Sequence, residues 1–253
     1  MANMDFRAGE TDPAGDFKEE RRMAIEAMAR DEELKRKSID WMVHADKYKY
    51  SYNFTWMGRP IIKLPQDIVA MQEVIWSTRP DLIIETGIAH GGSIIFSASM
   101  LELIGKGEVI AVDIDIRKHN RALIEAHPMF KRITMIEGSS VEQAIFDKVA
   151  IAAKSKKKVM VILDSLHTHE HVLKELRLYS KLVAPGCHLI LPDTFIEFFP
   201  KGYFSNRPWD LGNNTMTALK EFLHDNKEFV IDRSINDKLV ISEGIDGYLK
   251  KVR

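Results

Sequence analysis

Three short apolar runs of this chain end in acids: Leu82-Ile-Ile84 before Glu85, Val159-Met-Val-Ile-Leu163 before Asp164, and His188-Leu-Ile-Leu191 before Pro192-Asp193. Runs of this kind suit strands buried on both faces. Acids at neighbouring strand ends share one crevice. Asp164 and Asp193 together suit a hard divalent cation such as Mg²⁺, which takes oxygen ligands and keeps several waters; helix capping and loop hydrogen bonding are their alternative use. Between them runs Asp164-Ser-Leu-His167-Thr-His169-Glu-His171, with three of the nine histidines. His167 falls before the next helix begins and can share the crevice, whereas His169 and His171 sit on different helix faces. A neutral imidazole there can take the proton of a hydroxyl while a cation stabilises the alkoxide.

The stretch Glu85-Thr-Gly87-Ile-Ala-His-Gly91-Gly92-Ser93 reads as a tight turn in which glycines let the backbone approach a ligand. Ser93 stands near the start of the following helix, where free N–H groups favour an anionic group. A second strand, Glu108 to Asp113, ends in an acid 21 residues beyond Gly92, placed to accept from both hydroxyls of a ribose. The pattern implies a ribose-containing cofactor at the mouth of a parallel sheet. It is not G-x-G-x-x-G, which disfavours a nicotinamide-dependent oxidoreductase. The order acid-x-Gly-x-x-x-Gly-x-Ser resembles the first motif of S-adenosylmethionine-dependent methyltransferases, particularly the catechol-type O-methyltransferases.

The elements that must position these residues alternate. Strands and helices follow one another from Leu82 to Leu191, which predicts an α/β, Rossmann-like, doubly wound sheet. Phe229–Asp232 and Lys238–Ser242 predict a closing hairpin across a five-residue turn. A sheet of about seven strands with an antiparallel C-terminal hairpin is the Class I methyltransferase plan. The expected organisation is a mobile arm over 1–16, an N-terminal helix and aromatic loop over 17–64, and the cofactor domain over 65–253. One charged helix is predicted over 17–45, packed across the sheet or against another subunit, so a homo-oligomer is expected. Residues 48–60 are rich in aromatics and hold no period, which suggests a lid or substrate wall, a loop pinned by buried aromatics, or an oligomer contact.

Composition narrows the partners. A net charge of −1, with 45% hydrophobic and 29% charged residues, offers no electrostatic case for nucleic acid. The expected substrate is therefore small, or a small group on a glycan. The single cysteine, Cys187, lies in an apolar pattern and reads as a buried residue. No signal peptide and no membrane span are evident, which predicts a cytoplasmic enzyme.

Asp164-Ser-Leu-His-Thr-His-Glu-His with its continuation to Pro185-Gly186, Leu191-Pro-Asp-Thr194, Tyr52-Asn-Phe-Thr-Trp-Met-Gly-Arg-Pro60 and Arg207-Pro-Trp209 before Gly-Asn-Asn resemble the cephalosporin hydroxylase/rhamnosyl O-methyltransferase family over roughly residues 48 to 243. The resemblance implies Glu85, Gly87, Gly91 and Ser93 around the methionine part of the cofactor, Asp113 on the ribose and Ser140 near the adenine. It implies Asp164 and Asp193 on a metal, Asp164 also beside the cofactor, and His167 as the catalytic base. Tyr52, Trp56 and Trp209 would face the acceptor. Two departures stand out: Pro192 and Leu166 occupy positions where the family commonly has acids. Thr194, Glu197 or water would then complete the metal shell. The expected activity is methyl transfer from S-adenosylmethionine to a hydroxyl of a sugar or natural-product intermediate. A non-catalytic S-adenosylmethionine-binding scaffold is the alternative.

Overall fold

The computed structural model describes residues 13–253; the first twelve, most of the expected arm, lie outside the described residues. Two helices open it, α1 (Pro13–Arg30) and α2 (Glu32–Asp46), where the charge pattern predicts one. Asp31 divides them: its backbone is extended and its carboxylate accepts from the Leu34 N–H at 2.8 Å, the geometry of an N-cap. The aromatic stretch is also more regular than expected. After a 3₁₀ turn (Tyr50–Asn53), β1 (Phe54–Trp56) and β2 (Arg59–Ile61) pair antiparallel. Met57 and Gly58 both take positive φ, 47° and 84°, the two-residue turn whose twist suits a hairpin. Three residues per strand are too few for a period of two to show in the sequence.

The main layers follow in order: α3 (Pro65–Thr78), β3 (Leu82–Thr86), α4 (Gly92–Ile104), β4 (Glu108–Asp113), α5 (Lys118–Glu125), β5 (Ile133–Glu137), α6 (Gln143–Ala153), β6 (Val159–Leu163), α7 (His169–Tyr179), β7 (His188–Ile190), α8 (Thr215–Asp225), β8 (Phe229–Ile231), a short α9 (Arg233–Asn236) and β9 (Tyr248–Lys251). They build a seven-stranded sheet in the order β5-β4-β3-β6-β7-β9-β8. The first five strands are parallel, and β9 runs antiparallel to both of its neighbours. Every residue of β3 and β6 is buried, as a parallel sheet covered on both faces requires. Cys187 is buried as expected.

The closing strand is a correction. Residues 238–242 are not a strand; β9 pairs with β8 and lies ten residues further on. The intervening segment is instead tied to α3, where Asp67 accepts from Ser242 Oγ at 2.6 Å and from the Glu243 N–H at 2.8 Å. A strand-like composition lost to a buried aspartate that offers the same backbone a stronger partner.

A second, smaller core sets the mouth of the cleft. Met42 of α2, Leu64 and Phe199 pack with Tyr50, Phe195, Tyr203 and Phe204, fastening α2 to the 195–204 segment. Tyr203 adds a hydrogen bond from its hydroxyl to Asp46 at 2.9 Å. Among the described residues no helix is long and apolar enough to cross a membrane.

Candidate active site

The chain runs outward from β3 to β4 and β5, then returns to β6 on the other side of β3. Ligand crevices form at such a reversal, beyond the carboxyl ends of the strands. Here a cavity of about 500 Å³ is lined by Gly87 to His90 from the turn after β3, Asp164, Ser165 and His167 after β6, Asp193 after β7, and Glu243. Tyr52 and Trp209 form part of its outer wall.

The glycines are explained mainly by the chain itself. A Cβ on Gly87 would fall 1.9 Å from the Asp164 carbonyl oxygen, and one on Gly92 would fall 2.2 Å from that of Pro60. The β1–β2 hairpin is thus pressed against the turn, and its Arg59 holds the turn by donating to the His90 carbonyl at 2.6 and 3.0 Å. Asn120 joins in, accepting from Arg59 at 3.1 Å and donating to the Ala89 carbonyl at 2.9 Å. Gly91 is crowded by Ile124 in the same way, at 2.6 Å. Glycine was expected to admit a ligand; at these positions it admits neighbouring protein.

Asp113 lies beside the turn, as its strand-end position requires. Its Oδ2 accepts from the Ile88 N–H at 2.7 Å and its Oδ1 from the Asp115 N–H at 3.1 Å. Oδ2 also accepts from the Ala89 N–H at 3.4 Å, so Oδ1 is the oxygen that keeps a lone pair for a further donor. Ser140 is buried and meets His171 Nε2 at 3.2 Å; the same nitrogen meets Ser165 Oγ at 3.0 Å, and Ser165 donates to the fully buried Glu175 at 2.8 Å. His171 therefore joins the turns after β5 and β6. His169 faces α8, where it meets Thr217 and Glu221.

At the floor, Asp164, His167 and Asp193 each bring one ligand-capable atom within 4.8 Å of the others. His167 Nε2 lies 3.6 Å from Asp193 Oδ2. Its ring is packed edge-on against Trp209, with centroids 4.7 Å apart. Asp193 holds a left-handed backbone, φ 60°, a strain that non-glycine residues carry mostly where the surroundings impose it. Burial pushes its carboxyl up to about 6, against the pull of His167 and Lys63.

Three expected residues stand elsewhere. Thr194 is buried, and its hydroxyl lies 2.7 Å from the Ile245 carbonyl and 3.3 Å from that of Glu243, so it ties the loop down. Glu197 accepts from Asn214 at 2.7 Å and from the Gly212 N–H at 2.9 Å. Trp56 does not line the cavity: its indole donates to Ser99 at 3.0 Å and packs on Phe96, anchoring the hairpin on α4.

Lys63 is the residue that sequence reasoning missed. Its side chain is 2% exposed, and Nζ donates to Asp164 Oδ2 at 2.9 Å. Burial alone would lower its pKa, but Asp164, Glu243 and Glu85 outweigh burial and raise it. One ammonium thus sits amid a group of buried acids. The signal was a lysine inside the apolar run Ile61-Ile-Lys63-Leu64, since a charge in such a run is buried only with a partner. Glu243, raised well above the ordinary range by burial, had no comparable signal.

Glu85 and Ser93 are the site's unanswered groups. Both Glu85 carboxylate oxygens and the Ser93 hydroxyl are buried without a hydrogen-bond partner. Burial pushes the Glu85 carboxyl up to about 7, opposed chiefly by the Lys63 ammonium. A folded-state pKa above the unfolded one means that folding takes up a proton. The Glu85 contribution to stability is therefore full below about pH 4.5 and is lost as pH rises through about 7. A single group so shifted changes stability by roughly 3 kcal/mol. Glu85→Gln is expected to remove that portion, so its stability gain over wild type should grow from pH 5 to pH 8 in urea titrations. A pH-independent difference would contradict the assignment.

With this geometry in place, known proteins can be compared. The family model described as Rhamnosyl O-methyltransferase/CmcI matches residues 48–252. The chain belongs to that family. The rhamnosyl O-methyltransferase of Mycobacterium bovis (strain BCG / Pasteur 1173P2) is 30% identical over 148 residues, 58% of this chain and 59% of the relative. That of Mycobacterium leprae (strain TN) is 31% identical over 148 residues, 58% and 62% of the two chains. The chain thus matches about three fifths of the length of these curated relatives. Among solved structures, an apo form of CmcI shares the fold at a TM-score of 0.60, with 20% identity, over 80% of this chain and 77% of that one. A CmcI structure with Mg and SAM gives a TM-score of 0.56, with 18% identity, over 80% and 78%.

Proposed function

We propose that this family member transfers a methyl group from S-adenosylmethionine to a hydroxyl of a small polar acceptor, a sugar or natural-product intermediate, with a divalent cation such as Mg²⁺ assisting. The observation that carries the reading is the Asp164, His167 and Asp193 cluster on one cavity with the turn after β3, a turn flanked by the buried, unanswered acceptors Glu85 and Ser93. Relatives named for methyl transfer to rhamnosyl groups, and a CmcI structure with Mg and SAM, support it.

The residues fit both groups. The partnerless Glu85 carboxylate suits a donor such as the cofactor's ammonium, and Asp113 Oδ1 keeps a lone pair for a ribose hydroxyl. Asp164 and Asp193 offer the hard oxygen donors that Mg²⁺ takes, with water filling the remaining positions. When bound, the cofactor supplies the electrophilic methyl and the cation makes the acceptor hydroxyl more acidic. His167 would accept the proton that the acceptor hydroxyl gives up as it takes the methyl. Asp193, at 3.6 Å, stabilises the imidazolium formed, and Trp209 fixes the plane of the ring. Holding acceptor and cofactor in one orientation in the cavity would convert a bimolecular encounter into a positioned reaction.

Calorimetry tests the cofactor. S-adenosylmethionine and S-adenosylhomocysteine are expected to bind and NAD to fail, and Asp113→Ala should weaken both by roughly ten- to a hundredfold, the value of a hydrogen bond to a charged group. Binding of NAD alone would overturn the reading. Methyl transfer undiminished by chelator would remove the metal from it, and cofactor binding with no transfer to any hydroxyl acceptor would favour the scaffold alternative. One observation favours a second arrangement: Pro192 supplies no ligand, and His167 is close enough to be the third. Mn²⁺ titration separates the two, since His167→Gln keeps metal affinity if His167 is the base and loses it if His167 is a ligand.

A further inference from the structure

The mouth of the cleft carries a charge that the chemistry at its floor does not use. Asp164, Asp193 and Glu243 stand at the floor, while the exposed Lys47, Lys49 and Arg207 line the same cavity. Among the described residues none of these three cations forms an ion pair with a carboxylate. The acid beside them, Asp46, already accepts from the Tyr203 hydroxyl at 2.9 Å.

Their placement is built in. Lys49 has a left-handed backbone, φ 51°, and so do Ala89, φ 45°, and Asp193, φ 60°, on the same cavity. Non-glycine residues collect in that conformation where surrounding structure imposes it. Arg207 lies with Cζ 5.4 Å from the centroid of Trp209, the ring whose other contact is His167. The guanidinium is thereby set one indole away from the base. Both walls are fastened by the satellite core of Met42, Leu64 and Phe199.

Like charges held around one opening raise the local potential and attract a counter-ion into it. A guanidinium fork adds paired donors that match a carboxylate or phosphate. A ligand with an anionic group at one end and a hydroxyl at the other is therefore oriented by the cavity, anion outward and hydroxyl inward.

We propose that the acceptor is an anionic hydroxyl compound, bound with its phosphate or carboxylate among Lys47, Lys49 and Arg207 and its reacting hydroxyl at the Asp164, His167 and Asp193 floor. The inward placement of the hydroxyl rests on the methyl-transfer reading; the anion site does not.

The test uses the full chain and three probes, glucose, glucose 6-phosphate and glucuronate, titrated by calorimetry with and without S-adenosylhomocysteine. Glucose 6-phosphate or glucuronate is expected to bind at least tenfold more tightly than glucose, and which of the two binds distinguishes phosphate from carboxylate. Arg207→Gln, and Lys47→Gln with Lys49→Gln, should each weaken the anionic probe at least tenfold, with Arg207→Lys retaining part of the affinity. All three positions are exposed, and unchanged melting temperatures check that the variants stay folded. Failure of both anionic probes to bind, equal affinity for glucose, or indifference to these variants overturns the proposal. Failure of the methyl-transfer reading shows separately, as no affinity for S-adenosylhomocysteine while the anion arms still respond.

Discussion

Replacing His167 with glutamine is expected to lower methyl transfer by about 10²- to 10⁴-fold, the usual contribution of a positioned general base, while affinity for S-adenosylmethionine stays near that of wild type. The expectation follows from where the ring sits. Its Nε2 is 3.6 Å from Asp193 Oδ2, on the floor side of the cavity, while the unanswered acceptors Glu85, in β3, and Ser93, in α4, flank the turn after β3. Glutamine keeps a polar group there but cannot take a proton at neutral pH. Single-turnover transfer and cofactor calorimetry on the same preparation make the split visible. Full activity would refute the base, and lost cofactor affinity would show that His167 supports the donor site instead.

Lys63→Met should destabilise the protein by about 3 kcal/mol, the low end for breaking a buried ion pair, because Asp164 keeps 21% of its side chain exposed and can draw water. The substitution removes the ammonium that Asp164 shares with Glu243 and Glu85. Those carboxyls then face one another in a medium that solvates them poorly, so some take up protons and the rest repel. Chemical denaturation measures the loss. A double-mutant cycle with Asp164→Asn separates the pair from the bulk of the side chain: part of the penalty should return when both charges are gone. Coupling below about 0.5 kcal/mol, the additivity expected of independent sites, would mean that Lys63 matters through packing alone. The same lysine bears on the chemistry, since it sets how much negative charge Asp164 offers a metal.

The positions of Asp113, Asp164 and Asp193 were legible because a strand buried on both faces must be an apolar run, and the polar residues that close it stand at the carboxyl end of the sheet; Glu85 instead lies within β3 and is buried. His167 was legible because it falls in the gap between such a strand and its helix. Trp56 was misread for want of any local period: its partner, Ser99, lies 43 residues away, on α4. The final strand was misplaced because Lys238–Ser242 has strand-like composition, yet Asp67, 175 residues earlier, takes Ser242 and the Glu243 N–H instead.

By itself the chain determined the alternation of strands and helices, the seven-stranded plan and the acids at its carboxyl edge, because each depends on spacing within a few residues. Tertiary structure alone decided what those acids meet. Lys63 reaches Asp164 across 101 residues, Glu243 arrives from the loop before β9, and Arg59 locks the glycine turn from the β1–β2 hairpin. Burial and pairing of charge are properties of residues brought together, and no local pattern encodes which distant partner will neutralise a buried group.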